Sequence, residues 1–155
     1  MSKPCIHILI GVAGSGKSTA VKEIQKKLFG LPFNVTTICP DELREKFCNG
    51  DRSDQSKNAL VWGSAYGDAQ LAMDRQEEII FDSTMVSPKK RKQLIKMAMH
   101  NDYSIIAHVV ERDEETIKKQ NAGRKWEVPE YIIDNMIKSF VRPTKEEGFD
   151  SIVDH

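Results

Sequence analysis

A chain of 155 residues with 39% hydrophobic content suits one domain, residues 1–155, built on a sizeable core. Lys plus Arg number 23 and Asp plus Glu number 23, so the formal net charge is zero. That balance argues against a protein that coats nucleic acid through a broad basic surface, while leaving room for a local basic site.

The first predicted element is a strand, CIHILI (5–10), apolar and rich in β-branched residues. It runs into GVAGSGKST, which matches G-x-x-x-x-G-K-[ST] at Gly11, Gly16, Lys17 and Ser18, with Ala13, Gly14, Ser15 and Thr19 completing the loop. Glycines let the backbone turn tightly and present successive N–H groups to phosphate oxygens, and the helix that follows adds its positive end. Lys17 suits the β- and γ-phosphates, and the Ser18 hydroxyl suits magnesium. The expected ligands are therefore ATP, or another nucleoside triphosphate, with Mg2+. A helix from Ser18 to Phe29 follows, stopped near Gly30 and Pro32.

The second strand is VTTIC (35–39), and TTICPDELREKF then starts a helix with Asp41 where an N-cap would sit. Arg44, three residues on, shares its helix face. A cap is the commoner role for such an aspartate, a proton acceptor is the other, and the local sequence leaves both open. Residues 54–76 form the next predicted helix, with Trp62, Tyr66, Ala69 and Met73 at helical spacing. The aromatic pair reads first as core and second as a base-stacking surface.

EIIFD (78–82) is the third strand, and its closing Asp82 is placed like a Walker B acid that binds the magnesium shell. The helix from Pro88 to His100 opens with Ser87 as N-cap and Lys89, Lys90 and Arg91 in its first turn. Cations there oppose the helix dipole at a cost of roughly a few tenths of a kcal/mol each. A solvated basic run is the ordinary reading, and a bound anion such as an acceptor phosphate would offset the cost. SIIAHVV (104–110) is the fourth strand. Helices at 113–121 and 129–140 follow, and SIVD, from residue 151, is a candidate final strand. Arg124 lies on the connection between those two helices, where a lid residue could close over phosphates.

Strands alternating with helices imply right-handed crossovers. The expected fold class is α/β: a P-loop NTPase or kinase fold with a mostly parallel sheet of four to five strands, helices on both faces and a small helical lid. Ligands bind beyond the carboxyl ends of such strands, so Asp41, Asp82 and Lys17 should share one rim. No NKxD-like segment offers guanine readout, which turns the reading from a nucleotide switch toward a kinase.

Three cysteines, Cys5, Cys39 and Cys48, form no CxxC pair, and Cys5 and Cys39 lie in apolar runs as small core residues. The opening MSKPCIHILIG turns to glycine too soon for a signal-peptide core, and no stretch reaches bilayer length. A cytoplasmic location, with no membrane contact and no obligatory protein partner, is the expectation.

Taken in order, GVAGSGKST, PDELR, IIFDST with its KKR segment, QNAGR, VPEYIIDNM and EEGFDSI resemble the kinase domain of phage-type polynucleotide kinase and its relatives among P-loop kinases. The resemblance covers nearly the whole chain. It implies ATP and Mg2+ at Lys17 and Ser18, a general base at Asp41 and an acceptor-phosphate contact at Arg44. It further implies acceptor-side support from Asp82, Thr84 and Arg91, metal ligation at Ser18 and Asp82, and a lid arginine at Arg124. The implied substrate is a 5′-hydroxyl end of DNA or RNA. Gln120 departs from the pattern, standing where an arginine often precedes the asparagine. The 3′-phosphatase domain of some relatives is expected to be absent. A kinase for a nucleoside, nucleotide or other small alcohol is the alternative, and a non-catalytic ATP-dependent binding module is the third.

Overall fold

The apolar, β-branched runs all become strands of one sheet. The computed structural model describes residues 2–155. It contains β1 (Cys5–Ile10), β2 (Val35–Ile38), β3 (Glu78–Phe81), β4 (Ser104–Val109) and β5 (Ser151–Asp154) in the order β2-β3-β1-β4-β5. Every neighbouring pair is parallel, the arrangement the alternating pattern predicts.

Parallel strands need crossovers, supplied here by α1 (Lys17–Leu28), α2 (Pro40–Phe47), α3 (Asn58–Asp74), α4 (Pro88–His100), α5 (Glu114–Ala122) and α6 (Glu130–Ser139). The central strands carry apolar side chains on both faces because both are covered. On one face Ile6, Ile8, Ile10, Ile79 and Phe81 pack with Ala65, Ala69 and Ala72 of α3 and Leu94 and Ala98 of α4. On the other, Leu9, Ile80 and Val110 pack with Ala20, Val21, Ile24 and Leu28 of α1. Trp62 and Tyr66 are half-buried against the first cluster, each ring centroid 6.3 Å from that of Phe81, so the aromatic pair belongs to the core.

Two expectations at helix starts are corrected. Asp41 is not the N-cap of α2: Cys39 holds that position, Pro40 opens the helix and no side chain caps it. Proline is pre-set for the first helical position, which moves the boundary two residues upstream and leaves Asp41 in the first turn. The helix expected over 54–76 begins only at Asn58. Upstream, Asp51 accepts the Ser53 N–H at 2.9 Å and Asp54 accepts the Ser56 N–H at 2.8 Å, local turns that compete with helix. Asp113 does cap α5, accepting the Thr116 N–H at 2.8 Å.

Arg91 is a third correction. Its side chain is fully buried, pointing inward on the helix stripe that carries Leu94, Ile95 and Ala98. Nε and Nη2 fork onto the Glu147 carboxylate at 2.9 and 3.0 Å, and Nη1 donates to the carbonyls of Met85 and Val141 at 2.9 and 3.0 Å. Glu147 ends a 3-10 turn, Lys145–Glu147. Arg91 therefore ties α4 to the segment before β5 and leaves the substrate-binding set, while Lys89 and Lys90 face solvent.

The chain leaves β1 toward β2 in one direction and leaves β3 toward β4 in the other. The crevice where neighbouring strands part in this way lies between β1 and β3, beyond their carboxyl ends. The loop after β1 and Asp82 after β3 flank it.

Candidate active site

The loop joining β1 to α1 is braced from three sides. The Gly11 N–H donates to the Thr84 carbonyl at 2.9 Å, and the Ser15 N–H donates to the Val12 carbonyl at 3.0 Å. Val12 and Ala13 pack beneath Val86, Ile117 of α5 and Ile133 of α6, so the two lid helices sit directly on the loop. Gly14 has φ 86°, and a Cβ there would come within 2.9 Å of the Ile117 carbonyl. That position admits glycine because α5 approaches the backbone too closely for a side chain. Gly16, at φ 99°, occupies the N-cap position of α1 with no side-chain cap and nothing within 4 Å of its would-be Cβ. The Lys17 and Ser18 N–H groups that open α1 have no partner among the backbone contacts of the loop, the arrangement that suits phosphate.

Lys17 opens α1, and its Nζ donates to the carbonyls of Gly11 and Val12 at 3.0 and 3.2 Å. Its ammonium end is held away from solvent although the residue as a whole is only half-buried. Burial lowers its pKa to about 8, a trend opposed by the negative charges of Asp82 and Asp41 and reinforced by the positive charge of Arg124. Three residues from three separate segments are therefore within electrostatic reach of one ammonium.

Asp82 directly follows β3, and its N–H donates to the Ile38 carbonyl of β2 at 2.8 Å. Burial raises its pKa, Lys17 pulls it down, and Asp41 and Glu42 push it up. The neighbouring Cys39 thiol is pushed up to about 12 by burial and by Asp82, so it stays protonated and offers no thiolate. Cys5 and Cys39 are half-buried and Cys48 is buried, all as free thiols.

Asp41 projects from the first turn of α2 with its side chain 59% exposed, open to a substrate hydroxyl. Arg44, one turn on, is buried: Nη1 donates to Asp41 Oδ1 at 3.3 Å and Nη2 donates to Asn58 Oδ1 of α3 at 2.5 Å. Its buried Nε has no partner, a donor in reserve on a cation with a fixed position.

Arg124 lies on the α5–α6 connection and is exposed. That connection is shaped by Asn121, which the sequence reading did not single out. The Asn121 amide donates to the Val128 carbonyl at 2.7 Å and accepts the Val128 N–H at 2.9 Å, closing the loop that carries Arg124. Lys118 ties the two helices together through Glu114, Glu130 and Asp134 at 2.8, 3.1 and 3.1 Å. Trp126 was also missed. It stands outside the core clusters, with Arg52 5.3 Å and Lys125 5.0 Å from its ring centroid. Arg52 in turn pairs with Glu45 of α2 at 2.9 Å. A tryptophan flanked by two cations bridges the lid connection to the segment after α2. Its signal in the sequence was the KWEVP stretch, a large aromatic in a charged loop.

Among the described residues no group of three or more His, Cys, Asp or Glu could hold a metal ion. The available donors at the rim are the exposed Ser18 hydroxyl and the Asp82 carboxylate. This sparse oxygen set fits Mg2+, which keeps waters and takes the rest of its shell from phosphate oxygens, and does not resemble an all-protein cage. No described helix is long and apolar enough to cross a membrane.

The sequence profile of a family described as AAA domain matches residues 6–143. An L-seryl-tRNA(Sec) kinase from Methanococcus maripaludis is 25% identical over 148 residues, 92% of this chain and 55% of the relative. The chain thus spans about half the length of that curated relative. Among solved structures, the Pnkp1/Rnl/Hen1 RNA repair complex aligns with a TM-score of 0.73 at 17% identity, over 90% of this chain and 44% of the other. The Mycobacterium tuberculosis APS kinase CysC in complex with AMPPNP and APS aligns with a TM-score of 0.68 at 13% identity, over 99% and 90%. These likenesses support a P-loop kinase; they do not single out the phage-type branch expected from the sequence.

Proposed function

Because the chain belongs to the AAA domain family and carries a P-loop kinase fold, we propose that it is an ATP-dependent polynucleotide 5′-hydroxyl kinase. It transfers the γ-phosphate of ATP to a 5′-hydroxyl end of DNA or RNA, in the service of nucleic-acid end repair. The observation that carries this reading is the Asp41–Arg44 pair: an open carboxylate for a hydroxyl beside a buried guanidinium for a phosphate. An acceptor that bears a phosphate near its reacting hydroxyl matches both.

Asp41 accepts a hydrogen bond from the 5′-hydroxyl and holds its oxygen in line with the γ-phosphorus. The new O–P bond forms as the bond between the γ-phosphorus and its bridging oxygen breaks. ADP leaves with the electron pair, and the hydroxyl proton passes late to Asp41. Positioning and charge dominate because the transition state is loose. Lys17 and Arg124 cover the donor phosphates, the loop N–H groups that lack a backbone partner cradle them, and Arg44 holds the acceptor phosphate with Thr84 lining the acceptor side. Ser18 and Asp82 would hold Mg2+, which would supply charge neutralisation to the transferring phosphoryl group.

A second reading, a small phosphorylated alcohol as acceptor, is favoured by the zero net charge, which offers no broad track for a polymer. Labelled ATP offered with a 5′-OH oligonucleotide, a 3′-phosphomononucleotide and a free nucleoside separates the two. The polynucleotide reading expects the highest kcat/KM on the oligonucleotide. Phosphorylation of the nucleoside alone rejects it.

A further inference from the structure

The α1 face of the sheet carries a row of side chains that the proposed chemistry does not use. Glu78 of β3, His7 of β1, His108 of β4 and His155 after β5 line up across four strands and end at Glu23 of α1. His7 Nε2 lies 2.9 Å from Glu78 Oε2, His7 Nδ1 lies 2.9 Å from His108 Nε2, and His108 Nδ1 lies 2.8 Å from His155 Nε2. The last contact, His155 Nδ1 to Glu23 Oε2, is longer at 3.6 Å. Glu78, His7 and His108 are buried at 3%, 7% and 7% exposure, so water cannot substitute for a missing partner.

Counting protons fixes the state of the row. Each neutral imidazole has one donor and one acceptor nitrogen, and an ionised carboxylate only accepts. With Glu78 ionised, His7 must donate from Nε2, which leaves its Nδ1 to accept from His108 Nε2. His108 Nδ1 must then accept from His155 Nε2. Three neutral rings, all protonated at Nε2, close the three short contacts and leave His155 Nδ1 bare before Glu23, in agreement with the one long distance. A fourth proton on His155 Nδ1 turns the long contact into a charged hydrogen bond and breaks none. A fifth proton sets two N–H groups face to face at one of the short contacts and breaks the row.

We propose that this row is a proton-counting latch that fastens β5 and α1 to the sheet, closed with no more than one added proton and released in mild acid when a second arrives. Released here means local opening of the β5 edge, the outermost strand on that side. Burial and the two flanking rings push the His108 pKa down to about 3, which agrees with a ring that resists protonation while docked. Several other charged or titratable groups face the row. Lys27 of α1 lies towards His108 and disfavours its protonation. Asp154 of β5, paired with Arg142, lies beside His155. Arg112 donates to the His155 carbonyl at 2.8 Å. Cys5, whose N–H donates to Glu78 Oε1 at 3.0 Å, and Tyr103 lie in the field of Glu78. No carboxylate touches His108 itself, so it has nothing to offset a charge of its own.

The tests are tautomer and hydrogen exchange. Nitrogen-15 NMR of the full chain at pH about 7.5 is expected to show His7 and His108 as Nε2–H tautomers. An Nδ1–H tautomer at either ring overturns the assignment. Amide exchange followed from pH 8 to 5 is expected to show protection factors in β5 falling about tenfold per pH unit below roughly 6.5, while those of β1 and β3 hold. In His155→Gln, which keeps the chain folded by altering only the edge of the row, that pH dependence should shrink at least severalfold. Glu23→Gln, on the exposed side of α1, should leave the exchange at pH 8 unchanged and shift the onset of opening. Uniform protection of β5 across the range, or an unchanged pH profile in His155→Gln, overturns the latch.

Discussion

Arg44 Nη1 donates to Asp41 Oδ1 across 3.3 Å, one helical turn away on α2, and the same guanidinium reaches Asn58 on α3 at 2.5 Å. One buried cation therefore fixes the direction of the carboxylate proposed to meet the acceptor hydroxyl. Its Nε, buried and without a protein partner, remains an unused donor. In Arg44→Met the charge-assisted contact to an acceptor phosphate is lost. At about 1.5–3 kcal/mol for such a bond, KM for a phosphorylated acceptor should rise roughly ten- to hundredfold while ATP binding holds. Steady-state kinetics with acceptor and ATP varied separately check this.

Lys17 gives a pH prediction. Its folded pKa is lowered to about 8 from the ordinary 10.5. Between these values the unfolded chain binds the proton that the folded protein has released, so stability rises with pH across that window. The cost of the buried ammonium is fully present below pH about 8. Ligand binding runs the other way, since ATP phosphates require the charged form. Affinity of the free protein for ATP should weaken as pH rises through about 8, and calorimetric titration at pH 7 and pH 9 reads it. Lys17→Met should bind weakly at both and lose the difference.

The strands, their parallel pairing and the phosphate loop were legible because each rests on a local signal: β-branched runs, or glycines at fixed spacing. Arg91 was not. In sequence it continues Lys89 and Lys90, and only the return of Glu147 from 56 residues away shows that it faces inward. The start of α2 was misplaced by two residues because an aspartate suits the N-cap and a proline suits the first helical position, and here the proline decides. Asn121 and Trp126 act through partners at Val128 and Arg52, contacts that neither periodicity nor motif spacing encodes. Glu78, His7 and His108 lie in three different strands and His155 just past a fourth, so only strand order and register make them a row.

Removing one partner of the Arg91–Glu147 fork should cost about 3–5 kcal/mol, because it strands a buried charge. Arg91→Met and Glu147→Gln should both lower Tm sharply, and the pair of apolar substitutions, Arg91→Met with Glu147→Leu, should recover part of the loss. Transfer activity per folded molecule, measured well below Tm, should remain. An Arg91→Met protein of unchanged stability and raised acceptor KM would instead return Arg91 to the acceptor site.

Trp126 bridges the lid connection to the segment after α2 through Arg52. Base stacking on an aromatic ring is worth about 1–3 kcal/mol per base. Trp126→Ala should therefore raise KM for an oligonucleotide about five- to hundredfold, with Trp126→Phe recovering most of it. Equal effects on oligonucleotide and ATP would mark the ring as a latch on the lid rather than a stacking platform.

The most direct test of the account is single-turnover transfer of labelled γ-phosphate to a 5′-OH oligonucleotide by the wild-type protein and by Asp41→Asn. Asn keeps an oxygen for Arg44 and, because Asp41 is not the helix cap, leaves the fold undisturbed. It cannot take the proton. Transfer by the wild type is expected, with a loss of about 10²–10⁴ in rate in Asp41→Asn and ATP affinity within about twofold. Transfer by Asp41→Asn at the wild-type rate, or no transfer by the wild type with ATP bound, would contradict it.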